Sequence, residues 1–178
     1  LYIVPVPIGN LKDITLRAIK TLESVDFIIA EDTKYSLKLL NHLGISKPLI
    51  SYYKPREQEK IGGILKKLAN QNAALITDSG TPVISDPGYI LVKAAIEAGI
   101  HLEALPGPTA FVPAITLSGI DCHRFLFLGF PPKKTGELER FLKTFDAIDI
   151  PLVFYESPRR IEHFLKTALS ILGPRQAA

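Results

Sequence analysis

The 178-residue chain contains no methionine, no tryptophan and a single cysteine, Cys122. One cysteine cannot form an intrachain disulfide, which argues against a small secreted domain and favours a reducing compartment such as the cytoplasm. No apolar run reaches the roughly 18 residues that a membrane-spanning helix needs. The first residues also lack the pattern of a secretory signal. We therefore expect a cytoplasmic protein with no membrane partner.

An excess of one charge is also nearly absent, because 21 Lys and Arg against 18 Asp and Glu leave a net charge of +3. Strongly basic nucleic-acid domains show a larger excess, although a local basic patch would suffice. The apolar fraction of 47% and the charged fraction of 22% are ordinary for a globular protein and exclude a disordered chain. The four histidines are scattered, so no metal site is expected.

Short apolar segments alternate with segments of helical period over the first 118 residues. The predicted strands are 1–4, 27–30, 49–51, 73–77 and 102–105. The predicted helices are 15–24, 34–43, 57–70, 88–98 and 108–118. Alternation of this kind is typical of βαβ units, so we predict an α/β fold with a mainly parallel sheet.

The pattern restarts after a linker at about 119–123. Strands are predicted at 125–128 and 152–155, and helices at 137–145 and 158–172. Two strands bury too little surface to form a stable sheet alone. We therefore expect an N-terminal α/β domain over 1–120 and, over 124–178, the first part of a C-terminal α/β domain.

Ligands of parallel sheets bind beyond the carboxyl ends of the strands, so the loops there are the candidate sites. The loop after the first strand is neither a dinucleotide-binding glycine motif nor a phosphate-binding P-loop. Glu31-Asp32-Thr33-Lys34 follows the second strand and is either an acid/base cluster or the capped start of a helix. The loop over 77–88 is rich in hydroxyl groups and glycine, which favours contact with a ligand.

Five segments, in order, resemble signatures of the bacterial ribosomal RNA small subunit methyltransferase I family. They are 5–18, 31–33, 78–82 together with 85–89, 106–108 and 154–158. The resemblance implies the tetrapyrrole methylase (class III) fold, with S-adenosylmethionine bound between two α/β domains, and a homodimer. It also implies 2′-O-methylation of a cytidine ribose in small-subunit (16S) ribosomal RNA, with that RNA or the assembled small subunit as partner.

The same resemblance implies which residues contact the methyl donor. They are Pro7, Ile8, Asp78, Gly80, Thr81, Ile84, Thr109, Ala110 and Tyr155. A ribose hydroxyl is a weak acid, so a carboxylate base or a stabilising cation near the strand ends would assist the transfer. Our candidate catalytic residues are Asp13, Asp32 and Lys34.

Basic residues on several loops are candidates for binding RNA phosphates. The residues predicted to bind RNA are Lys133, Lys134, Arg159 and Arg160, and Lys12, Lys34, Lys54 and Arg56 could extend the same basic rim. Two alternatives stay open at this point. One is a C-methyltransferase for a polyanionic porphyrin or corrin precursor, and the other is an RNA-binding module that holds the donor without catalysis. The segment 5–11 favours the RNA branch of the superfamily.

Overall fold

The computed structural model describes residues 1–53 and 57–178. The chain divides into two compact units, Leu1–Ala110 and Phe111–Ala178. This division falls about ten residues before the linker predicted at 119–123, because the helix expected at the end of the first domain groups with the second unit. The predicted division into two separate domains stays a prediction.

The first unit contains a five-stranded sheet in which every pair of neighbouring strands is parallel. Its strands are β1 (Tyr2–Ile3), β2 (Phe27–Ala30), β3 (Leu49–Ser51), β4 (Ala73–Ile76) and β5 (Glu103–Ala104). Their spatial order is β3-β2-β4-β1-β5. All four residues of β2 and of β4 are buried, as expected for central strands covered on both faces. The predicted α/β fold with a parallel sheet is confirmed.

Local signals explain where the helices of the first unit begin and end. The helices are α1 (Leu16–Ser24), α2 (Thr33–His42), α3 (Glu57–Leu68) and α4 (Tyr89–Glu97), and a 3₁₀ turn covers Leu11–Asp13. The Thr15 hydroxyl accepts a hydrogen bond from the Ala18 N–H at 3.0 Å and so caps α1. Gly44 and Gly99 follow α2 and α4 with φ of 70° and 68°, a left-handed conformation that glycine adopts without steric cost.

The four helices cover the two faces of the sheet in pairs. The apolar residues of α1 and α2 share one buried cluster with Val4, Ile28 and Ala74. Those of α3 and α4 share a second cluster with Ile3 and Leu75. The helix after β4 therefore leaves on the opposite face from the helices after its neighbours β1 and β2. Divergence of this kind opens a crevice at the carboxyl ends of the strands, where ligands of open parallel sheets bind.

The second unit is smaller. It contains α5 (Phe111–Leu117), β6 (Leu126–Phe127), α6 (Thr135–Lys143), β7 (Leu152–Val153) and α7 (Ile161–Leu172), with β6 parallel to β7. Leu138 and Leu142 of α6 pack with Phe164 of α7 to form its core. Helices α5 and α7 begin three residues later than predicted, because Pro108 and Pro158 lie in the segments before the helices rather than in the first helical turn.

Candidate active site

The loops after β1 and β4 are joined just beyond the ends of the strands. The Val6 N–H donates to the Gly80 carbonyl at 2.9 Å, and the Gly80 N–H donates to the Val6 carbonyl at 3.0 Å. Gly80 has φ of 78°, and a Cβ at this position would lie 3.5 Å from the Ile8 side chain. Ile8 and Gly80, which were predicted on separate loops as donor contacts, therefore lie side by side.

Thr81 connects this pair of loops to the loop after β5. Its Oγ1 donates to the Pro108 carbonyl at 3.0 Å and lies 3.1 Å from the Thr109 Oγ1. The predicted donor contacts Thr81 and Thr109 thus meet directly. Ala110 is exposed at the end of the same segment, and Pro7 is buried beside Ile8. The structure therefore brings the loops after β1, β4 and β5 into one connected edge of the sheet.

The loop after β4 has a backbone that few residues adopt freely. Val83 and Ser85 have φ of 76° and 67°, in the left-handed region, which is unusual for a β-branched residue such as valine. Ile84 lies between them with an exposed side chain. Strained conformations of this kind persist where the surroundings fix them, and they concentrate at binding sites. The predicted contact of Ile84 with the methyl donor stays a prediction.

Four carboxylates, those of Glu31, Asp32, Asp78 and Asp86, influence one another at the ends of β2 and β4. The Asp32 N–H donates to Asp78 Oδ1 at 3.2 Å. Burial is the main cause of a raised pKa at Glu31, and the charges of Asp78 and Asp86 raise this pKa further. Burial, and then the charge of Asp32, raises the pKa of Asp78. Burial and the charge of Asp78 raise the pKa of Asp86 from 3.8 to about 6.

Glu31 and Asp86 lie in candidate segments, the acid/base cluster and the loop over 77–88, but neither was assigned a catalytic or donor-binding role from the sequence. Glu31 was visible as the acid beside Asp32, and Asp86 as the only carboxylate in the second half of the loop over 77–88. Their proximity depends on the strand order, which places β2 beside β4. A cluster of repelling carboxylates is stabilised by a cationic ligand, so this edge favours a positively charged group.

We predict that Asp86→Asn stabilises the protein at neutral pH but not in acid. Because the pKa of Asp86 is raised in the folded state, the folded protein holds the proton of its carboxyl group more tightly than the unfolded chain does. The stability that comes from this bound proton is therefore lost as the pH rises from about 4 to about 6. After allowance for solvent screening, we expect a gain of about 1 kcal/mol in the free energy of unfolding at about pH 7.5 and none at about pH 3.5.

Urea denaturation at the two pH values measures this difference. Asp149→Asn, at an exposed position of the second unit, is the matched control and should change neither value. A gain of equal size at both pH values would contradict the prediction, because it would arise from packing rather than from charge.

The candidate catalytic residues lie on two different loops. Asp32 caps α2, since its Oδ1 accepts from the Lys34 N–H at 2.8 Å and the Tyr35 N–H at 3.2 Å. Lys34 is exposed in the first turn of that helix, and Asp13 is exposed on the 3₁₀ turn after β1. The structure places Asp32 beside Asp78 and leaves Asp13 on the neighbouring loop. The capping role of Asp32 is now visible, and its catalytic role stays a prediction.

In the second unit the predicted site residues lie after the ends of β6 and β7. Tyr155 is half-buried, with its ring 5.0 Å from that of Phe127 and 5.4 Å from that of Phe130 between centroids. Lys133, Lys134 and Arg159 are exposed. The Arg160 guanidinium instead binds the Glu156 carboxylate at 2.6 Å. An arginine engaged in this way is less available to phosphate than Arg159, a distinction that the sequence did not reveal.

The described residues, 1–53 and 57–178, contain neither a membrane-spanning helix nor a cluster of metal-ligating side chains. None of the helices found there combines the length and the apolar character needed to cross a membrane. Within the same ranges, no group of three or more His, Cys, Asp and Glu side chains is arranged to hold a metal ion. Lys54 and Arg56, which were predicted to extend the basic rim, lie outside the described residues.

Comparison with known proteins identifies a family and several relatives. The profile of the family described as Tetrapyrrole (Corrin/Porphyrin) Methylases matches residues 1–177. Ribosomal RNA small subunit methyltransferase I of Escherichia coli O157:H7 is 45% identical over 174 residues, which are 97% of this chain and 61% of the relative. The protein of that name from Thermotoga maritima is 43% identical over 177 residues, covering 99% of this chain and 79% of the relative.

One solved structure extends the comparison at the level of the fold. The crystal structure of diphthine synthase superposes with a TM-score of 0.73 at 14% identity, over 95% of this chain and 70% of that chain. Similarity at such low identity concerns the fold alone. The chain itself spans about three fifths of the length of the Escherichia coli relative.

Proposed function

The chain belongs to the ribosomal RNA small subunit methyltransferase I family of tetrapyrrole methylases, and we propose that it transfers a methyl group from S-adenosylmethionine to small-subunit ribosomal RNA. The acceptor in this proposal is the 2′-hydroxyl of a cytidine in 16S RNA. The observation that carries the proposal is the connected edge formed by the loops after β1, β4 and β5. The expected location is the cytoplasm, and a homodimer, which the family resemblance implies, stays a prediction.

The residues at this edge fit S-adenosylmethionine. The donor carries two positive charges, on its sulfonium and its ammonium group, and the carboxylates of Glu31, Asp78 and Asp86 favour a cation. The exposed side chains of Ile8 and Ile84 offer apolar surface to its less polar parts. Gly80 allows close approach of a ligand because no Cβ projects there. Gly80, Thr81 and Thr109 would hold the donor against this surface. The contact of Tyr155 with the adenosine, which the family resemblance implies, stays a prediction.

S-adenosylmethionine, when bound, supplies a methyl group that is already activated by the sulfonium. What remains for the chain is to orient the two reactants and to manage one proton. Orientation alone supplies about 7–11 kcal/mol in well-aligned reactions. The hydrogen bonds from Val6 to Gly80 and from Thr81 to Pro108 serve this purpose, because they fix the loops before a ligand arrives.

The proton of the acceptor hydroxyl is the second requirement, and Asp13 and Asp32 are the proposed bases. A positioned base contributes about 10²–10⁴-fold to the rate. Lys34, exposed in the first turn of α2, is proposed to stabilise negative charge on the acceptor oxygen. The proton would pass from the hydroxyl to a carboxylate oxygen and then to water.

The test of the proposed function is transfer of labelled methyl to purified small ribosomal subunits in a single turnover. Two control reactions run in parallel. One contains a tetrapyrrole precursor in place of the subunits, and the other contains no acceptor. Label in the ribose of a 16S cytidine is the expected result. Label in the tetrapyrrole would instead support the C-methyltransferase alternative. Donor and RNA binding without any transfer would support the non-catalytic module.

We predict that either Asp13→Ala or Asp32→Ala, whichever removes the base, lowers the single-turnover rate about 100-fold at saturating donor. Because Asp32 also caps α2, Asp32→Ser is the matched variant. Serine keeps a capping oxygen but cannot act as the base. A rate restored by serine would assign Asp32 to capping alone. Rates within about threefold of the unsubstituted protein for both alanine variants would contradict the base assignment.

A further inference from the structure

Phe130, on the loop after β6, is exposed although the backbone on both sides of it is fixed. Its side chain is 62% exposed. On one side the Gly129 carbonyl accepts from the Tyr155 N–H at 2.9 Å. On the other side Pro131 is buried, and its carbonyl accepts from Arg160 Nη2 at 3.5 Å. The ring is therefore held outward by the fold.

A partly buried ion pair secures this loop. The Glu156 side chain is only 4% exposed, and its Oε2 lies 2.6 Å from Arg160 Nη2. Its Oε1 accepts from the Ser157 N–H at 2.6 Å, and Arg160 Nη2 also donates to the Pro132 carbonyl at 3.3 Å. Both charges are thus satisfied by hydrogen bonds, which is the condition for a buried pair to fix a conformation. Glu156 and Arg160 link the loop after β7 to the loop that carries Phe130.

Aromatic rings support Phe130 from within the second unit. Its ring centroid is 5.4 Å from that of Tyr155, which is 5.0 Å from that of Phe127. Phe127 in turn stacks on Phe111 at 4.6 Å. Because this row of rings is packed behind it, Phe130 needs little further ordering when a flat ligand binds to its outer face. A preorganised surface loses less entropy on binding than a mobile one.

Two lysines follow Phe130 on the same loop. Lys133 and Lys134 are exposed, and Lys134 Nζ lies 3.3 Å from the Glu137 carboxylate in a surface pair. Surface pairs of this kind contribute little to stability, so a phosphate can replace the carboxylate. We call Phe130, Lys133 and Lys134 the Phe130 surface. An exposed aromatic ring beside cations is typical of proteins that bind single-stranded nucleic acid by stacking and charge.

We propose that Phe130 stacks on an unpaired base of the RNA substrate while Lys133 and Lys134 bind its phosphates, with Glu156 and Arg160 as positioning residues. This inference rests on the proposed function and names the part of the second unit that contacts the RNA. A protein partner fits this surface less well, because lysine is depleted in the cores of protein interfaces.

The test measures affinity for a single-stranded RNA oligonucleotide of mixed sequence over a range of salt concentrations. Loss of one stacked base corresponds to about a tenfold or greater loss of affinity. Phe130→Ala should therefore bind about tenfold more weakly, with an unchanged slope of log Kd against log salt concentration. Phe130→Tyr, which keeps an aromatic face, should restore the affinity. Lys133→Ala should instead reduce that slope by about one.

Arg160 is tested by the same slope. If it positions the loop, Arg160→Ala weakens binding without changing the salt slope, and its effect is not additive with that of Phe130→Ala. If its guanidinium binds phosphate directly, the slope falls by about one, and the positioning role is overturned. Arg159→Ala, at the exposed neighbouring arginine, is the control that should behave as a phosphate contact.

Two controls separate the outcomes. Leu169→Ala removes a side chain of similar exposure on α7, 59%, and should leave RNA binding unchanged. Affinity for S-adenosylhomocysteine should be the same in Phe130→Ala and the unsubstituted protein. A loss of that affinity would assign the ring to donor binding, directly or through its contact with Tyr155, and this overturns the inference. Equal RNA affinity of Phe130→Ala and the unsubstituted protein would also overturn it.

Failure of the proposed function gives a different result. If the unsubstituted protein binds and methylates small subunits and only the Phe130 variants behave unexpectedly, the inference alone is wrong. If it neither binds the oligonucleotide nor labels the subunits, both are wrong. If it binds the oligonucleotide and shows the expected Phe130 dependence without methylation, the stacking surface stands and the proposed activity fails.

Discussion

Gly107→Ala is expected to lower the free energy of unfolding by about 2 kcal/mol, the range found when extra atoms are forced into packed structure. A Cβ at Gly107 would lie 2.6 Å from Pro5 Cβ and 3.0 Å from Pro5 Cγ, closer than such atoms approach in proteins. Pro5 is buried, and its ring cannot rotate away, so the backbone must move. The two segments that would separate are the loops after β1 and β5.

The same substitution should weaken donor binding, because the next residues after Gly107 hold Thr81. Displacement of Pro108 and Thr109 would lengthen the contacts that Thr81 Oγ1 makes at 3.0 and 3.1 Å. Urea denaturation and titration with S-adenosylhomocysteine measure the two effects. Gly62→Ala is the matched control, because a Cβ there meets no atom within 4 Å in the middle of α3. That control should stabilise the helix by about 0.5–1 kcal/mol.

The two outcomes of Gly107→Ala carry different information. Unchanged stability would contradict the close contact between the loops after β1 and β5. Reduced stability with unchanged affinity for the donor analogue would keep the packing argument, but it would remove the 106–110 segment from the proposed donor site. Both results would leave the family assignment intact, because that rests on the sequence comparison.

Much of the first unit could be predicted from the sequence because its signals are local. Strands β2 and β3 have the predicted bounds, since each is a short apolar run between polar segments. The start of α1 follows from the Thr15 cap, and the ends of α2 and α4 follow from the glycines after them. Prolines misled the prediction at two helix starts, because a proline near a helix is equally compatible with the turn before it.

The candidate site was predictable only in part, because the contacts between its loops join distant segments. Loops after strands are recognisable from the sequence, but the donor contacts Ile8, Gly80, Thr81 and Thr109 on them came from the family resemblance and stay predictions. The effect of Asp86 on Glu31 instead depends on the order of the strands, and no local pattern gives that order. The pairing of Arg160 with Glu156 was equally hidden, since a sequence does not distinguish an ion-paired arginine from its exposed neighbour.

Glu57 has a structural role that no pattern in the sequence indicates. It is the first residue of α3 and is only 6% exposed. Its Oε1 accepts from the Gly88 N–H at 2.8 Å, where the loop after β4 enters α4. Gly88 has no side chain with which to cap that helix. In a capping box, a glutamate in the first turn of a helix accepts a hydrogen bond from the N–H of that helix's N-cap residue. Glu57 does the same for Gly88, the N-cap residue of α4, but from the neighbouring helix α3. Burial raises the pKa of the Tyr52 phenol, and the nearby charge of Glu57 raises it further.

Glu57→Ala is expected to lower the free energy of unfolding by about 2–3 kcal/mol, because the buried Gly88 N–H loses its acceptor. Glu57→Gln keeps an acceptor oxygen and should recover most of that loss. Glu97→Ala, which removes an exposed carboxylate from a surface pair with Lys93, should change stability by less than about 0.5 kcal/mol. Chemical denaturation of the three variants measures these changes in stability.

Because Gly88 ends the loop that carries Asp78, Thr81 and Ile84, Glu57→Ala should also weaken binding of S-adenosylhomocysteine, whereas Glu57→Gln should not. Equal losses of stability in the alanine and glutamine variants would show that the charge of Glu57, rather than its hydrogen bond to Gly88, holds the loop.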